Sequence, residues 1–356
     1  MSRSVNKSLK PIVEYLANRI PEITDTNNFQ IFLNKIEYDR IENNKTRKLA
    51  SFRPDPNRCT ALYICDDNYY FIESGFPELS DTTDYIGVDN EQVLDLYYLY
   101  IAENKIEVKE ELDSAYIYDR VFNGDPIQYE TLREIYPLIS MYKVSCDVDV
   151  RSITNEQANS ILKKLTLKYI CLTYQVQSTD IVKLSKQAIV LFSQISDQKD
   201  DYIPIDNVLR SILAYQWQFV FLDLYRCIER LSAIGWVHDY SQYFQTGLSK
   251  EEMFNRIKKR GMIYNEGEIL DHLFTLLDDD TKMSLASITE IDAASFIYSQ
   301  RNGIVHYQKT DINHSDTEWD TIIVFLLNAI IQLYSNLSDD INDLGDIEYS
   351  RNKTVM

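Results

Sequence analysis

Several common functional signatures are missing from these 356 residues. No GxxxxGK[ST] loop occurs, which excludes ATP or GTP hydrolysis by that phosphate-cradling route. No GxSxG turn occurs, so the serine nucleophile it presents is excluded as well. The cysteines are five, Cys59, Cys65, Cys146, Cys171 and Cys227, an odd number without CxxC spacing. That pattern argues against a disulfide framework and predicts reduced thiols, mostly in cores. No run reaches the roughly 18 uncharged apolar residues of a membrane span. Residues 322–334 come nearest, and Asn328 interrupts them. The first eight residues lack an apolar signal core. A cytoplasmic protein without a membrane partner is expected.

Positive charge is scarce too: 36 Lys and Arg stand against 55 Asp and Glu, a net charge of -19. Non-specific duplex binding needs an excess of cations on one face, so it is not expected. An enzyme that bends a short single strand into a small cleft needs only a local patch. Arg256, Lys258, Lys259 and Arg260 form the densest patch in the second half. Histidines number four. Three of them, His238, His272 and His314, stand apart in sequence, and His314 with Asp316 and Glu318 ligates a metal only if the fold assembles them. Asp278 to Asp280 lack the spacing and glycine of a calcium loop. No metal or cofactor is expected.

What is present is a globular composition, 45% hydrophobic and 26% charged, with 26 tyrosines. The length suits two domains. Residues 1–150 read as a mixed α+β region. An opening helix is expected over 5–19, ended by Pro21, and a polar helical stretch over 27–49. Residues 53–57 are the clearest break. Two β-rich runs, 60–65 and 69–73, flank Asp66, Asp67 and Asn68 as the strongest hairpin signal. Residues 93–102 are apolar and Tyr-rich, undecided between strand and helix.

From residue 155 glycine and proline thin out and helices are expected over 161–175, 181–195, 207–236, 251–260 and 268–277. Residues 151–204 read as a helical connector, 205–340 as a helical domain, and 341–356 as an acidic, mobile tail. The chain is thus mainly α, with an α+β first part. The 207–236 stretch, rich in Leu, Ile, Phe and Trp, is expected to be one long central helix.

Chemically able residues converge in one place, Tyr298-Ser-Gln-Arg301-Asn302-Gly303-Ile-Val-His306-Tyr307. Apolar helical runs flank it at 288–298 and 319–337. Five helical residues turn through about 500°, leaving Arg301 and His306 roughly 140° apart. On that reckoning they meet only if the helix breaks or widens, and Gly303 sits where it can. The imidazole of His306 is suited to proton transfer, and Arg301 presents a donor fork that fits phosphate oxygens. Asn302 can orient the phosphate or the imidazole, Tyr307 can donate a hydrogen bond, and Glu229 can hold Arg301 or His306 in place, with Asp223 the weaker candidate.

Arg301-Asn-Gly-Ile-Val-His306 resembles the R-x4-6-H signature of the HEPN superfamily, including the Asn after the Arg. The stretch from Phe221 to Leu231, with its embedded Glu229, resembles an early HEPN helix. The resemblance covers roughly residues 205–340. It implies a HEPN-like helical bundle that cleaves RNA as a homodimer without metal, in a toxin or antiviral defence effector whose first part responds to a regulatory protein or ligand. Some toxin members carry a Tyr two places after the His, whereas here that place is Gln308. The alternative is a HEPN-like module that binds or assembles without catalysis, which the negative charge favours.

Overall fold

A computed structural model describes residues 5–18, 31–121, 127–174, 182–198, 202–243, 249–250, 252–253, 266–306 and 314–348. The chain forms two compact units, residues 1–177 and 178–356. The division falls inside the 151–204 stretch that the sequence sets apart as a connector.

In the first unit the Asp66-Asp67 turn sets the sheet. Both residues adopt positive φ, +46° and +62°, which Asp tolerates better than most side chains. A two-residue turn of that conformation matches the twist of flanking strands. It joins β2 (Arg58–Cys65) to β3 (Asn68–Ser74) in the register Cys65 to Asn68 and Tyr63 to Tyr70. With β1 (Thr46–Asp55), β4 (Ile86–Gly87) and β5 (Ile139–Val144), the antiparallel order is β1-β2-β3-β5-β4.

Strand β1 corrects the polar helix expected over 27–49. Only α2 (Lys35–Glu42) forms there among the described residues, opened by a capping box between Asn34 and Glu37. Asn44 then turns the chain at φ +57° and Thr46 enters the sheet. Pro54 is tolerated because β1 is an edge strand, where a missing N–H breaks no ladder bond on the open side.

The undecided stretch at 93–102 is helical. Helix α3 (Leu94–Asn104) is buried on nearly every side and packs on α1 (Val5–Asn18), α2, β1 and β2. A helix buried all round has no amphipathic stripe, so neither period is legible in it. Tyrosine fills buried positions both here and around Phe71, because its ring is apolar and its hydroxyl can reach a nearby acceptor. Tyr100 donates to the Cys59 carbonyl at 2.8 Å, Tyr85 to the Leu165 carbonyl at 2.6 Å, and Tyr169 to the Pro77 carbonyl at 2.8 Å. Helices α4 (Ser114–Val121), α5 (Tyr129–Ile135) and α6 (Asn155–Thr173) complete the unit, with α6 packed on β1 and β2.

In the second unit the single helix expected over 207–236 is three: α8 (Ile205–Ile212), α9 (Trp217–Glu229) and α10 (Ser232–Tyr243). A straight helix of that length would run about 45 Å and bury apolar groups on all sides at once. Folding back instead lets α8 and α9 cover each other through Val208, Leu209, Ile212, Val220, Phe221 and Leu224, all buried. Helix α7 (Lys186–Asp197) precedes them, and α11 (Glu266–Thr275), α12 (Asp279–Met283), α13 (Ala293–His306), α14 (Asp316–Asn336) and α15 (Ser338–Glu348) follow. Helix α14 is central, packed against α7, α9, α12 and α15. The Tyr334 hydroxyl ties it to the Cys227 carbonyl of α9 at 3.0 Å.

The acidic stretch expected as a mobile tail is helical through Glu348, with Asp340 and Ile341 buried. Asp340 takes His238 Nδ1 at 2.6 Å and Lys250 Nζ at 2.8 Å. Through these two contacts the acidic helix docks. Among the described residues no helix is long and apolar enough to cross a membrane. Arg256, Lys258, Lys259 and Arg260 lie outside the described residues.

Candidate active site

Helix α13 starts where Asp292 accepts the Ser295 N–H at 2.8 Å, a capping bond that holds the Asp292 carboxyl below its usual range. The expected helix began at 288, but residues 284–288 form a turn, 290–291 bend, and Ile291 is exposed. Ala294, Phe296, Ile297, Gln300 and Gly303 are buried, and the helix packs on α9 and α11. Its other flank carries Tyr298, Arg301, Asn302, Val305 and His306, half-buried to exposed.

On that flank Arg301 Nη1 donates to Asn302 Oδ1 at 3.0 Å and lies 3.5 Å from His306 Nε2. The helix does not break or widen between them, contrary to the expectation. Cα directions differ by about 140°, but the long arginine stem lets its guanidinium travel around the helix to the imidazole. The contact is a hydrogen bond when the imidazole is neutral with its lone pair on Nε2, because a guanidinium can only donate. At 3.5 Å it is long for such a bond.

Glu229 is the last residue of α9, with an exposed side chain. Asp223 is buried instead, bound to Arg226 Nη1 at 2.9 Å and near Arg210 Nε at 3.5 Å, so it joins α8 to α9. Tyr307 lies outside the described residues. The structure therefore brings together Arg301, Asn302 and His306 of the expected set.

His314, which stands apart in sequence, packs against α13. Its Nε2 lies 3.0 Å from Gln300 Oε1, and its ring meets Trp319 edge-on at 5.1 Å and Phe296 at 6.0 Å. Burial pushes the imidazole below its ordinary pKa, with Glu318 acting the other way. A neutral His314 that donates from Nε2 to Gln300 satisfies both groups. The readable signal was the capping box Ser315–Glu318, which fixes the start of α14 and so the residue just before it. Among the described residues no group of three His, Cys, Asp or Glu side chains can hold a metal ion.

No family model matches the chain, and no curated protein and no solved structure matches it either.

Proposed function

We propose that the chain is a cytoplasmic, metal-independent endoribonuclease of HEPN type, in which Arg301 and His306 carry the reaction across a homodimer. The observation that supports this is the 3.5 Å approach of Arg301 Nη1 to His306 Nε2 at an accessible helix end. RNA supplies its own nucleophile. The 2′-oxygen attacks the neighbouring phosphorus, the bond from phosphorus to O5′ breaks, and the products end in a 2′,3′-cyclic phosphate and a 5′-hydroxyl. An imidazole takes the 2′-hydroxyl proton and another gives a proton to O5′. The guanidinium stabilises the charge that builds on the phosphate oxygens.

One histidine cannot accept and donate in the same step, so a second copy completes the set. Val305 supports such pairing, because it is exposed on the α13 flank that leads to His306 and leaves an apolar side chain for a partner to cover. Asn302 holds the guanidinium, Glu229 holds Arg301 or His306 in place, and Tyr307 donates a hydrogen bond. A toxin or antiviral role, with the first unit as the part that a ligand or protein partner addresses, rests on that resemblance alone.

The net charge of -19 favours a second reading, a HEPN-like helical module that binds or assembles without cleaving. Incubating RNA with the purified protein and a chelator, beside His306→Ala, separates the two. Cleavage lost in the variant supports the enzyme, and no cleavage by either supports the module.

A further inference from the structure

Cations are few in this chain, yet a group of them on the first unit has no acidic partner. Residues 45–58 hold Lys45, Arg47, Lys48, Arg53 and Arg58 against Asp55 alone, in a protein of net charge -19. Asp55 is taken by Arg58 at 3.5 Å. Among the described residues no carboxylate forms an ion pair with Lys45, Arg47, Lys48, Arg53 or the neighbouring Lys105. The bonds they make go to neutral oxygens. Arg47 Nη2 reaches the Val150 carbonyl at 3.2 Å, Lys48 Nζ the Glu103 carbonyl at 3.0 Å, and Arg53 Nη2 the Asn104 carbonyl at 2.6 Å. The last two satisfy open carbonyls at the end of α3, whose partial negative charge offsets only part of theirs.

The acids around the patch are engaged elsewhere. Asp66 takes Arg40 at 2.6 Å, Asp67 takes Arg151 at 3.8 Å, and Asp149 Oδ1 accepts the Arg151 N–H at 3.0 Å. Glu42 and Glu107 flank the patch in sequence and pair with none of it. Beside Arg47 and Lys48 lies an open hollow of about 550 Å³, lined also by Asn44 and Glu103. Glu103 Oε2 accepts the hydroxyl of the fully buried Tyr63 at 3.0 Å, so that carboxylate is committed inward.

The same cations line a strand edge. Strand β1 is ten residues long and has β2 on one side only. Among the described residues, no backbone group of 46–55 bonds another backbone outside β2. The register shift between Lys48 and Ala50 bends the strand without ending that pairing, and Pro54, which lacks an N–H, bounds the usable edge at residues 46–53. Ser51 and Arg53 are exposed along it. An open edge of this length is a template for a further strand, and charge decides which. A second copy paired antiparallel about Ala50 would set Arg47 opposite Arg53, and one paired about Lys48 would set that lysine against itself. Like charges directly opposite repel, so the edge rejects its own kind.

We infer that the β1 edge takes an acidic, extended segment of a partner protein as a further strand, its backbone laddered on residues 46–53 and its carboxylates set against Lys45, Arg47, Lys48 and Arg53. The open edge supplies the ladder and the unpaired cations select the sequence. A single-stranded nucleic acid would meet the cations alone and leave the edge unpaired. Docking of this kind involves the first unit only and is independent of RNA cleavage by the second.

Fluorescence anisotropy of the full chain with a labelled Asp-Val-Glu-Val-Asp-Val-Glu peptide tests this, beside Asp-Pro-Glu-Pro-Asp-Pro-Glu, which keeps the charge and cannot ladder. Saturable binding of the first peptide is expected, at least tenfold tighter than that of the proline peptide. Amide hydrogen exchange over residues 46–53 should slow in its presence. Equimolar oligodeoxythymidylate, uncleavable because it lacks the 2′-hydroxyl, should not displace it. Lys45→Gln and Arg47→Gln combined should weaken binding about fivefold with the melting temperature little changed, since Lys45 is exposed and Arg47 half-buried. No saturable binding, equal binding of the proline peptide, displacement by the oligodeoxythymidylate, slowed exchange only outside β1, or unchanged affinity in the double variant would overturn the inference.

Discussion

Arg301 Nη1 stands 3.5 Å from His306 Nε2 across one unbroken turn and a half of α13. The same Nη1 donates to Asn302 Oδ1 at 3.0 Å. It is therefore held at the imidazole by its neighbour in sequence, with no distortion of the backbone. A site made this way depends on the length and planarity of one side chain, and several outcomes follow from that and from the packing around it.

Arg301→Lys keeps the charge and loses the fork. Lysine is a compact point charge on a flexible stem and lacks the planar fork that meets two phosphate oxygens at once. Cleavage should fall about 100-fold, the range seen when one preorganised donor is removed. The melting temperature should stay within a few degrees, since Arg301 is only half-buried. Gel-based cleavage rates beside thermal denaturation check both halves.

His314 should make the second unit sensitive to mild acid. Burial lowers its folded pKa below the unfolded value, so the unfolded chain binds the proton more readily. The neutral form's contribution is present above about pH 6.5 and is lost as pH falls toward the lowered folded value. The lowered carboxyls of Asp292 and Glu318 lose theirs only nearer their ordinary, more acidic range. Between pH 7 and pH 5, the melting temperature of the wild type should therefore drop more than that of His314→Gln. A steeper drop in the variant would contradict the packing described for His314.

Glu73 should do the reverse in the first unit. Burial raises its carboxyl to about 8, against hydrogen bonds from the Phe76 N–H and the Tyr169 hydroxyl. The folded pKa lies above the unfolded one, so the contribution is complete below about pH 4.5 and is lost as pH rises through 8. From pH 7 to pH 9 the wild type should lose about 1 kcal/mol that Glu73→Gln does not lose. Urea denaturation at the two pH values measures it.

Asp340 anchors α15 by accepting from His238 and Lys250, and its hydrogen bond raises the Lys250 pKa. Asp340→Ala leaves both without that acceptor and should cost about 1–3 kcal/mol. Amide hydrogen exchange across residues 338–343 should quicken in the variant while α14 stays protected.

The hairpin and most second-half helices were legible because their signals are local: turn residues, caps and period. Strand β1 was not, because Thr46 to Leu49 look helix-neutral and become a strand only beside β2. The break of 207–236 into three helices was hidden for a similar reason. Its apolar residues surround the helix, and only the fold-back of α8 on α9 assigns each a partner. At the site, residue types and spacing picked out Arg301 and His306, but the wheel argument tracks Cα directions and ignores a long side chain's reach. The Gln300–His314 contact spans a segment outside the described residues, and no sequence period links its ends.

The most direct test of the ribonuclease account is the chemistry of the RNA ends left by the full-length protein in excess chelator, read by mass spectrometry. The account predicts 2′,3′-cyclic phosphate and 5′-hydroxyl termini, formed at the same rate with and without chelator and absent with His306→Ala. Intact RNA with the wild type, cleavage abolished by the chelator, or equal cleavage by His306→Ala would contradict it.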